Sequence, residues 1–123
     1  MSAKPSLFFL TAALIGLIGM LWGIQMSASQ DHSLSPAHGH LNLLGFVMMS
    51  VFGTYYALVP AAAASRLGWV HYGASVVSVA VLVPGIVLAI TEQGDTLAKL
   101  GSVLAVLTMA LFVAVILRYR KAD

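Results

Sequence analysis

The residues of this sequence best suited to bind a metal or carry a proton are its four histidines: His32, His38, His40 and His71. Imidazole is a common ligand of transition metals and of haem iron, and its charge changes near neutral pH. The sequence contains no cysteine, which excludes disulfide bonds and thiolate ligands. Metal chemistry would therefore depend on imidazole nitrogen, helped by methionine sulfur or carboxylate oxygen.

Two of the histidines follow the start of a predicted helix. Ser35 before Pro36 is typical of a helix N-terminus, because serine caps the first N–H groups and proline there needs no hydrogen bond. His38 and His40 then lie in the first two turns and point about 200° apart if the helix is regular. The His38 face carries Asn42, Gly45, Met49, Gly53 and Tyr56, and its small residues permit close helix approach. The His40 face is apolar and carries Leu44, Val47 and Val51.

The His40 face suits a flat and mainly apolar cofactor such as haem. A ring nitrogen of His40 would bind the iron, and Leu44 and Val47 would contact the porphyrin. The alternative is that His40 is a polar residue at a helix end, where water or lipid headgroups satisfy its nitrogens. The spacing alone leaves both interpretations open.

Further potential ligands lie around the polar stretch that precedes this helix. Together they form a set of five side chains: Met26, Asp31, His32, His38 and His40. Imidazole and thioether suit copper, whereas imidazole and carboxylate suit zinc. A copper- or zinc-handling membrane protein is therefore an alternative to a haem-binding one.

The distribution of charge predicts the elements that hold these residues. Only 8% of the residues are charged, against about 25% in a soluble domain, which excludes a water-soluble fold and a basic nucleic-acid-binding surface. Since about 20 apolar residues cross a bilayer as a helix, we expect an all-α integral membrane four-helix bundle. It would form a single transmembrane domain over residues 1–123. The four uncharged stretches predict helices over about 7–26, 36–60, 69–91 and 97–117.

The basic residues predict an orientation. Four spans place both termini and the Arg66 loop on one side, with Lys99 as the one basic residue on the other side. The first side carries five basic residues: Lys4, Arg66, Arg118, Arg120 and Lys121. The positive-inside rule then predicts cytoplasmic N and C termini in the inner (cytoplasmic) membrane, with His40 near the outer face. His71 would lie near the cytoplasmic face, too far away to share a haem with His40.

The first predicted helix also has features of a cleaved signal peptide. Lys4 precedes an apolar run, and residues 27–29 are small enough for a cleavage site. The run of about 20 residues is longer than the 7 to 15 residues of a typical signal peptide core. We therefore expect this segment to be retained as a membrane helix, with Gly16, Gly19 and Gly23 allowing close helix packing.

The segment that begins at His40 resembles a known family. The runs His40-Leu41-Asn42-Leu43-Leu44-Gly45-Phe46 and Phe52-Gly53-Thr54-Tyr55-Tyr56-Ala57-Leu58-Val59-Pro60 are similar to the second transmembrane helix of haem-copper oxidase subunit I. The likeness is to the nitric oxide reductase and cbb3-type branches, and to short four-helix proteins described as cytochrome c oxidase subunit I-like. It implies that His40 is an axial ligand of haem b.

The resemblance stops short of a complete oxidase. The large enzymes use six histidines for their haems and metals, whereas this chain has four. The resemblance therefore implies a haem b-binding protein that serves electron transfer, gas binding or haem handling. Its second axial ligand would be His38, Met26, water or a histidine from a second copy in a homo-oligomer. A respiratory-chain partner is also expected, and a cofactor-free accessory subunit of an oxidase is a further alternative.

His71 shares a predicted helix face with Ser75 and Ser78. The simplest expectation is a hydrogen bond from the imidazole to a neighbouring helix. A second haem site or a proton-transfer role is the alternative, because ionisable groups inside a membrane are functional candidates.

Overall fold

A computed structural model describes residues 4–120, and this part of the chain is helical with no strand. The helices are α1 (Lys4–Ser29), α2 (Ser35–Leu58), the one-turn α3 (Pro60–Ala63), α4 (Arg66–Ile90) and α5 (Thr96–Arg118). Within α2, the segment Leu41–Val47 is π-helical. Four of these helices, α1, α2, α4 and α5, are long and apolar enough to cross a membrane. The predicted all-helical fold and its four candidate spans are confirmed for these residues, and four such helices are typical of a multi-pass membrane protein.

Local chemistry explains where the helix ends differ from the predicted ones. The second helix ends at Leu58 rather than at Pro60, because Val59 precedes a proline and adopts an extended conformation with φ −125° and ψ 86°. The next long helix begins at Arg66 rather than near Trp69. Ser65 caps it there by accepting a hydrogen bond from the backbone N–H of Gly68 at 3.0 Å.

Polar contacts bring the start of α1, the α3 region and the end of α5 to one end of the bundle. Lys4 is buried and donates a hydrogen bond from Nζ to the carbonyl oxygen of Ser65 at 2.5 Å. The hydroxyl of Tyr55 donates to the carbonyl oxygen of Tyr119 at 2.9 Å. The loops 30–34 and 91–95 lie at the opposite end, which we call the loop end. Asp31 in the first loop accepts hydrogen bonds from Ser33, and these lower the pKa of its carboxyl.

Glycines allow the helix backbones to approach closely. A methyl group on Gly101 of α5 would lie 2.5 Å from the Cα atom of Leu82 in α4. One on Gly85 would lie 2.6 Å from the backbone nitrogen of Ala98. Between α1 and α2, a methyl group on Gly16 would lie 2.9 Å from the ring of Phe46. Because membrane helices gain little from burying apolar surface away from lipid, this close packing is a main source of their association.

We predict that Gly101→Ala destabilises the bundle by about 1–3 kcal/mol, because the added methyl group meets backbone atoms that cannot move aside. Gly73→Ala in α4 is the matched control, since a methyl group there would meet no atom within 4 Å. It should leave stability unchanged or raise it slightly through better helix propensity. Unfolding equilibria in mixed detergent micelles measure both changes. Equal stability of the two variants would contradict the packing described here.

Candidate functional site

His40 lies on the outside of α2, one turn from its start. Its Nδ1 donates a hydrogen bond to the carbonyl oxygen of Pro36 at 2.7 Å, and the ring is exposed. Within residues 4–120 the ring makes this one hydrogen bond. The lone pair of Nε2 is therefore available to a group from outside the chain. Histidines that bind metals commonly hold the ring in this way, with the second nitrogen donating to a carbonyl or a carboxylate.

The π-helical segment changes which side chains share the His40 surface. A π turn holds more residues than an α turn, so the residues that follow are rotated relative to a regular helix. Leu44 is half-buried and packs near Ala37 and Val79, inside the bundle. Val47 is 44% exposed, and Leu43 is 52% exposed. The structure thus places Val47 on the outside, as His40 is, and turns Leu44 inward.

His38 faces α1. Its Nε2 lies 2.9 Å from the carbonyl oxygen of Gly19, and because a carbonyl can only accept, Nε2 carries the proton. The side chain of Asn42 donates to the carbonyl oxygen of His38 at 2.9 Å, and Trp22 meets the imidazole edge-on at 5.6 Å between ring centres. His38 therefore joins α1 to α2, and its Nε2 has no lone pair to offer to a metal.

The other residues of the predicted ligand set are scattered. Met26 is buried at 5% exposure in α1, whereas Asp31 and His32 are exposed in the loop between α1 and α2. Over the described part of the chain, no group of three histidine or acidic side chains is close enough to hold one metal ion. Met26, His38 and His40 therefore do not form a preassembled ligand cluster of that kind.

His71 lies towards the opposite end of the bundle and is fully buried. Its Nδ1 is 2.9 Å from the hydroxyl of Tyr56 on α2, which confirms the predicted hydrogen bond between helices. The imidazole is parallel to the ring of Phe112, with 5.5 Å between ring centres, and meets the ring of Phe52 at 4.4 Å. Nε2 is buried and has no hydrogen-bond partner among residues 4–120.

A small cavity lies one helical turn further along α4 from His71. Its volume is about 10 Å³, measured as the space open to the centre of a water molecule. Three hydroxyl-bearing residues line it, Ser75, Ser78 and Thr108, together with Phe52 and Ala105. Sequence analysis placed Ser75 and Ser78 on the His71 face but missed Thr108, because it belongs to a different helix. No pattern within a single segment could have indicated that contact.

Three comparisons, with protein families, with curated proteins and with solved structures, find no match to this chain. The site must therefore be interpreted from its own geometry.

We predict that Gly19→Ala displaces Asn42 and disturbs the His38 contact, because a methyl group on Gly19 would overlap the Asn42 side chain. Gly23→Ala is the matched control on the same helix, since its methyl group would lie 3.4 Å from His38 Nε2, an ordinary contact distance. We expect Gly19→Ala to cost about 1–3 kcal/mol of stability and to shift the ring resonances of His38 in ¹⁵N NMR spectra. If Gly23→Ala had the larger effect on both measurements, this description of the α1–α2 contact would be wrong.

Proposed function

We propose that this chain is a membrane protein that binds haem b through Nε2 of His40. The observation that carries the proposal is the hydrogen bond from His40 Nδ1 to the carbonyl oxygen of Pro36 at 2.7 Å. It selects the tautomer with a free Nε2 lone pair and restrains the ring, as the carbonyl or carboxylate that bonds the second nitrogen of a metal-binding histidine does. The resemblance of the segment after His40 to a haem-binding helix supports the same role.

The surface around His40 offers a porphyrin one apolar wall. Leu43, Val47 and Val51 are 52%, 44% and 50% exposed, so they are available to contact a flat apolar molecule. Because these residues lie on the outside of the bundle, the opposite wall must come from another chain or from lipid. The chain alone thus supplies half of a haem site.

A second copy of this chain would complete the site. Met26 is buried and Nε2 of His38 donates to the carbonyl oxygen of Gly19, so neither the Met26 sulfur nor His38 Nε2 supplies a ligand without rearrangement. A twofold axis brings identical residues together, and it would place the His40 of a second copy on the opposite side of the haem. We therefore propose a homo-oligomer with haem between protomers. A histidine of a respiratory-chain partner would fill the same position.

The role of the site follows from the number of ligands that the iron receives. Haem, when bound, supplies a one-electron change at iron or an open coordination position for a gas. Two histidine ligands favour electron transfer, whereas a single ligand leaves the iron open to a gas or allows the haem to be passed on. The chain's own part is to orient His40 and to keep the porphyrin against an apolar surface.

We predict that the protein, purified in mild detergent from cells supplied with haem, is red and shows a reduced b-type haem spectrum. His40→Ala should reduce the bound haem at least tenfold, because it removes the iron ligand. The matched controls His38→Ala and His32→Ala should retain most of it. Carbon monoxide added to the reduced protein should change the spectrum if one axial position is open and leave it unchanged if two histidines bind.

A colourless wild-type preparation, or a haem spectrum unaffected by His40→Ala, would overturn the proposal. Metal analysis of the colourless protein would then separate the remaining functions. Bound copper or zinc that depends on His32 and His38 would indicate metal handling at the loop end. A metal-free protein that co-purifies with a large oxidase would indicate an accessory subunit.

We further propose that the N and C termini are cytoplasmic in the inner membrane, so that His40 lies near the outer face. Lys4 and Arg66 lie at the same end of the bundle as the end of α5, and this basic end would face the cytoplasm. The absence of native cysteine in the sequence makes the orientation easy to measure.

We predict that a cysteine at Ser33 reacts with a membrane-impermeant maleimide added to intact cells whose outer membrane has been permeabilised. A cysteine at Ala64 is the matched control at the basic end and should react only after the inner membrane is broken. Both residues are exposed in loops, so their reactivity reports the side of the membrane. The reverse pattern would show that the orientation is inverted.

A further inference from the structure

The hydroxyl groups of the residues that line the small cavity already donate their hydrogens, but their oxygens can still accept hydrogen bonds. Ser75 Oγ donates to the carbonyl oxygen of His71 at 2.7 Å, and Ser78 Oγ donates to that of Ser75 at 2.9 Å. Thr108 Oγ1 donates to the carbonyl oxygen of Leu104 at 2.8 Å. Each hydroxyl oxygen keeps lone pairs that can accept a hydrogen bond. The cavity therefore suits a small molecule that donates two or more hydrogen bonds.

The size of the cavity limits the ligand to about one water molecule. A cavity of about 10 Å³ on this measure is close to the smallest space that holds a water. Buried waters usually need two to four polar partners, and the three hydroxyl oxygens provide that number. Larger ligands would require the surrounding side chains to move apart.

The unpaired nitrogen of His71 is a second and independent sign of a missing partner. If the hydroxyl of Tyr56 donates to Nδ1, then Nε2 carries a proton with no acceptor. If Nδ1 donates to Tyr56, then Nε2 carries a lone pair that receives no hydrogen bond. In both cases a buried polar atom without a partner costs about 1–3 kcal/mol. Water can donate and accept, so it satisfies either form of the ring.

The ring of Phe52 connects the two features. It lines the cavity, and its centre lies 4.4 Å from the centre of the His71 ring. Ser75 also contacts both, since it lines the cavity and bonds the backbone of His71. His71 itself does not line the cavity, so the Phe52 ring has to move before a water in the cavity can reach Nε2.

We propose that this cavity binds one water molecule and that this water bonds to His71 Nε2 when the Phe52 ring moves aside, which makes His71 and Tyr56 a proton-exchange site inside the bundle. The proposal takes the form in which the hydroxyl of Tyr56 donates to Nδ1 and Nε2 carries the proton. For each proton that Nε2 gives to the water, one of the water's own protons returns to Nε2, so neither group changes its charge. The proposal concerns the interior and does not depend on haem binding at His40.

The surroundings of His71 leave water as its exchange partner. Phe8 faces the imidazole from α1, and Phe112 faces it from α5. Tyr56 is the titratable group in direct contact. Beyond it, Lys4 Nζ lies 5.8 Å from the centre of the Tyr56 ring. Tyr55 and Tyr72 contact the rings of Tyr56 and Phe8 rather than the imidazole.

We predict magnetisation transfer between water and the Nε2 position of His71 in the full chain, labelled with ¹⁵N-histidine and reconstituted in lipid nanodiscs. The His71→Gln spectrum assigns the resonances. Ala105→Val fills the cavity without removing a hydroxyl and should slow the transfer at least tenfold. Ala114→Val is the matched control, because it makes the same change on an exposed position of α5. It should leave the rate within twofold of wild type.

The wild-type measurement decides the proposal even if Ala105→Val fails to fold. Absence of transfer between water and Nε2 in the wild-type chain would overturn it. Equal transfer rates in the Ala105→Val and Ala114→Val variants would also overturn it, because the exchanging water would then lie outside this cavity. Slower transfer in Ser78→Ala, which keeps the space but removes one acceptor, would support the site.

Discussion

A polar group inside a bilayer has no bulk water to bond with, and the hydroxyl side chains within the apolar helices meet this constraint through hydrogen bonds inside the bundle. Hydroxyls within the helices donate back to a carbonyl of the preceding turn: Ser50 to Phe46, Thr54 to Ser50, Ser75 to His71, Ser102 to Ala98 and Thr108 to Leu104. Thr11 and Tyr72 satisfy each other between α1 and α4, with 2.6 Å between their hydroxyl oxygens. The groups that break this pattern are therefore the informative ones.

Two histidines depart from this pattern of satisfied polar groups, and they do so in opposite ways. His40 satisfies one nitrogen within its own helix and presents the other on the exposed side of α2, where a ligand can arrive from outside. His71 satisfies one nitrogen between helices and keeps the other in the interior, where a ligand must be small enough to be enclosed. The first arrangement suits a large cofactor shared with another chain. The second suits a single water.

The sequence was sufficient to predict the four spans, because charge spacing and hydropathy are properties of the chain itself. It was also sufficient to place His71 against a neighbouring helix, since a buried imidazole needs a partner. The π-helical segment Leu41–Val47 could not be predicted in this way. This segment packs against α1, where a side chain on Gly45 would collide with Ile15, and contacts between helices are not readable from charge spacing or hydropathy. The inward position of Leu44 follows from this segment, so a projection of a regular α-helix could not predict it.

The same packing explains why His38 and His40 differ although only Gly39 separates them. The start of α2 lies against α1, where Gly19 leaves an opening that a methyl group would close by overlapping the Asn42 side chain. That opening lets the ring of His38 donate to the carbonyl, which fixes His38 as a contact between helices. His40 lies on the other side, and its ring bonds within its own helix, to the carbonyl oxygen of Pro36. The glycine on α1 thus makes one histidine structural, and it leaves the other free to bind a ligand from outside.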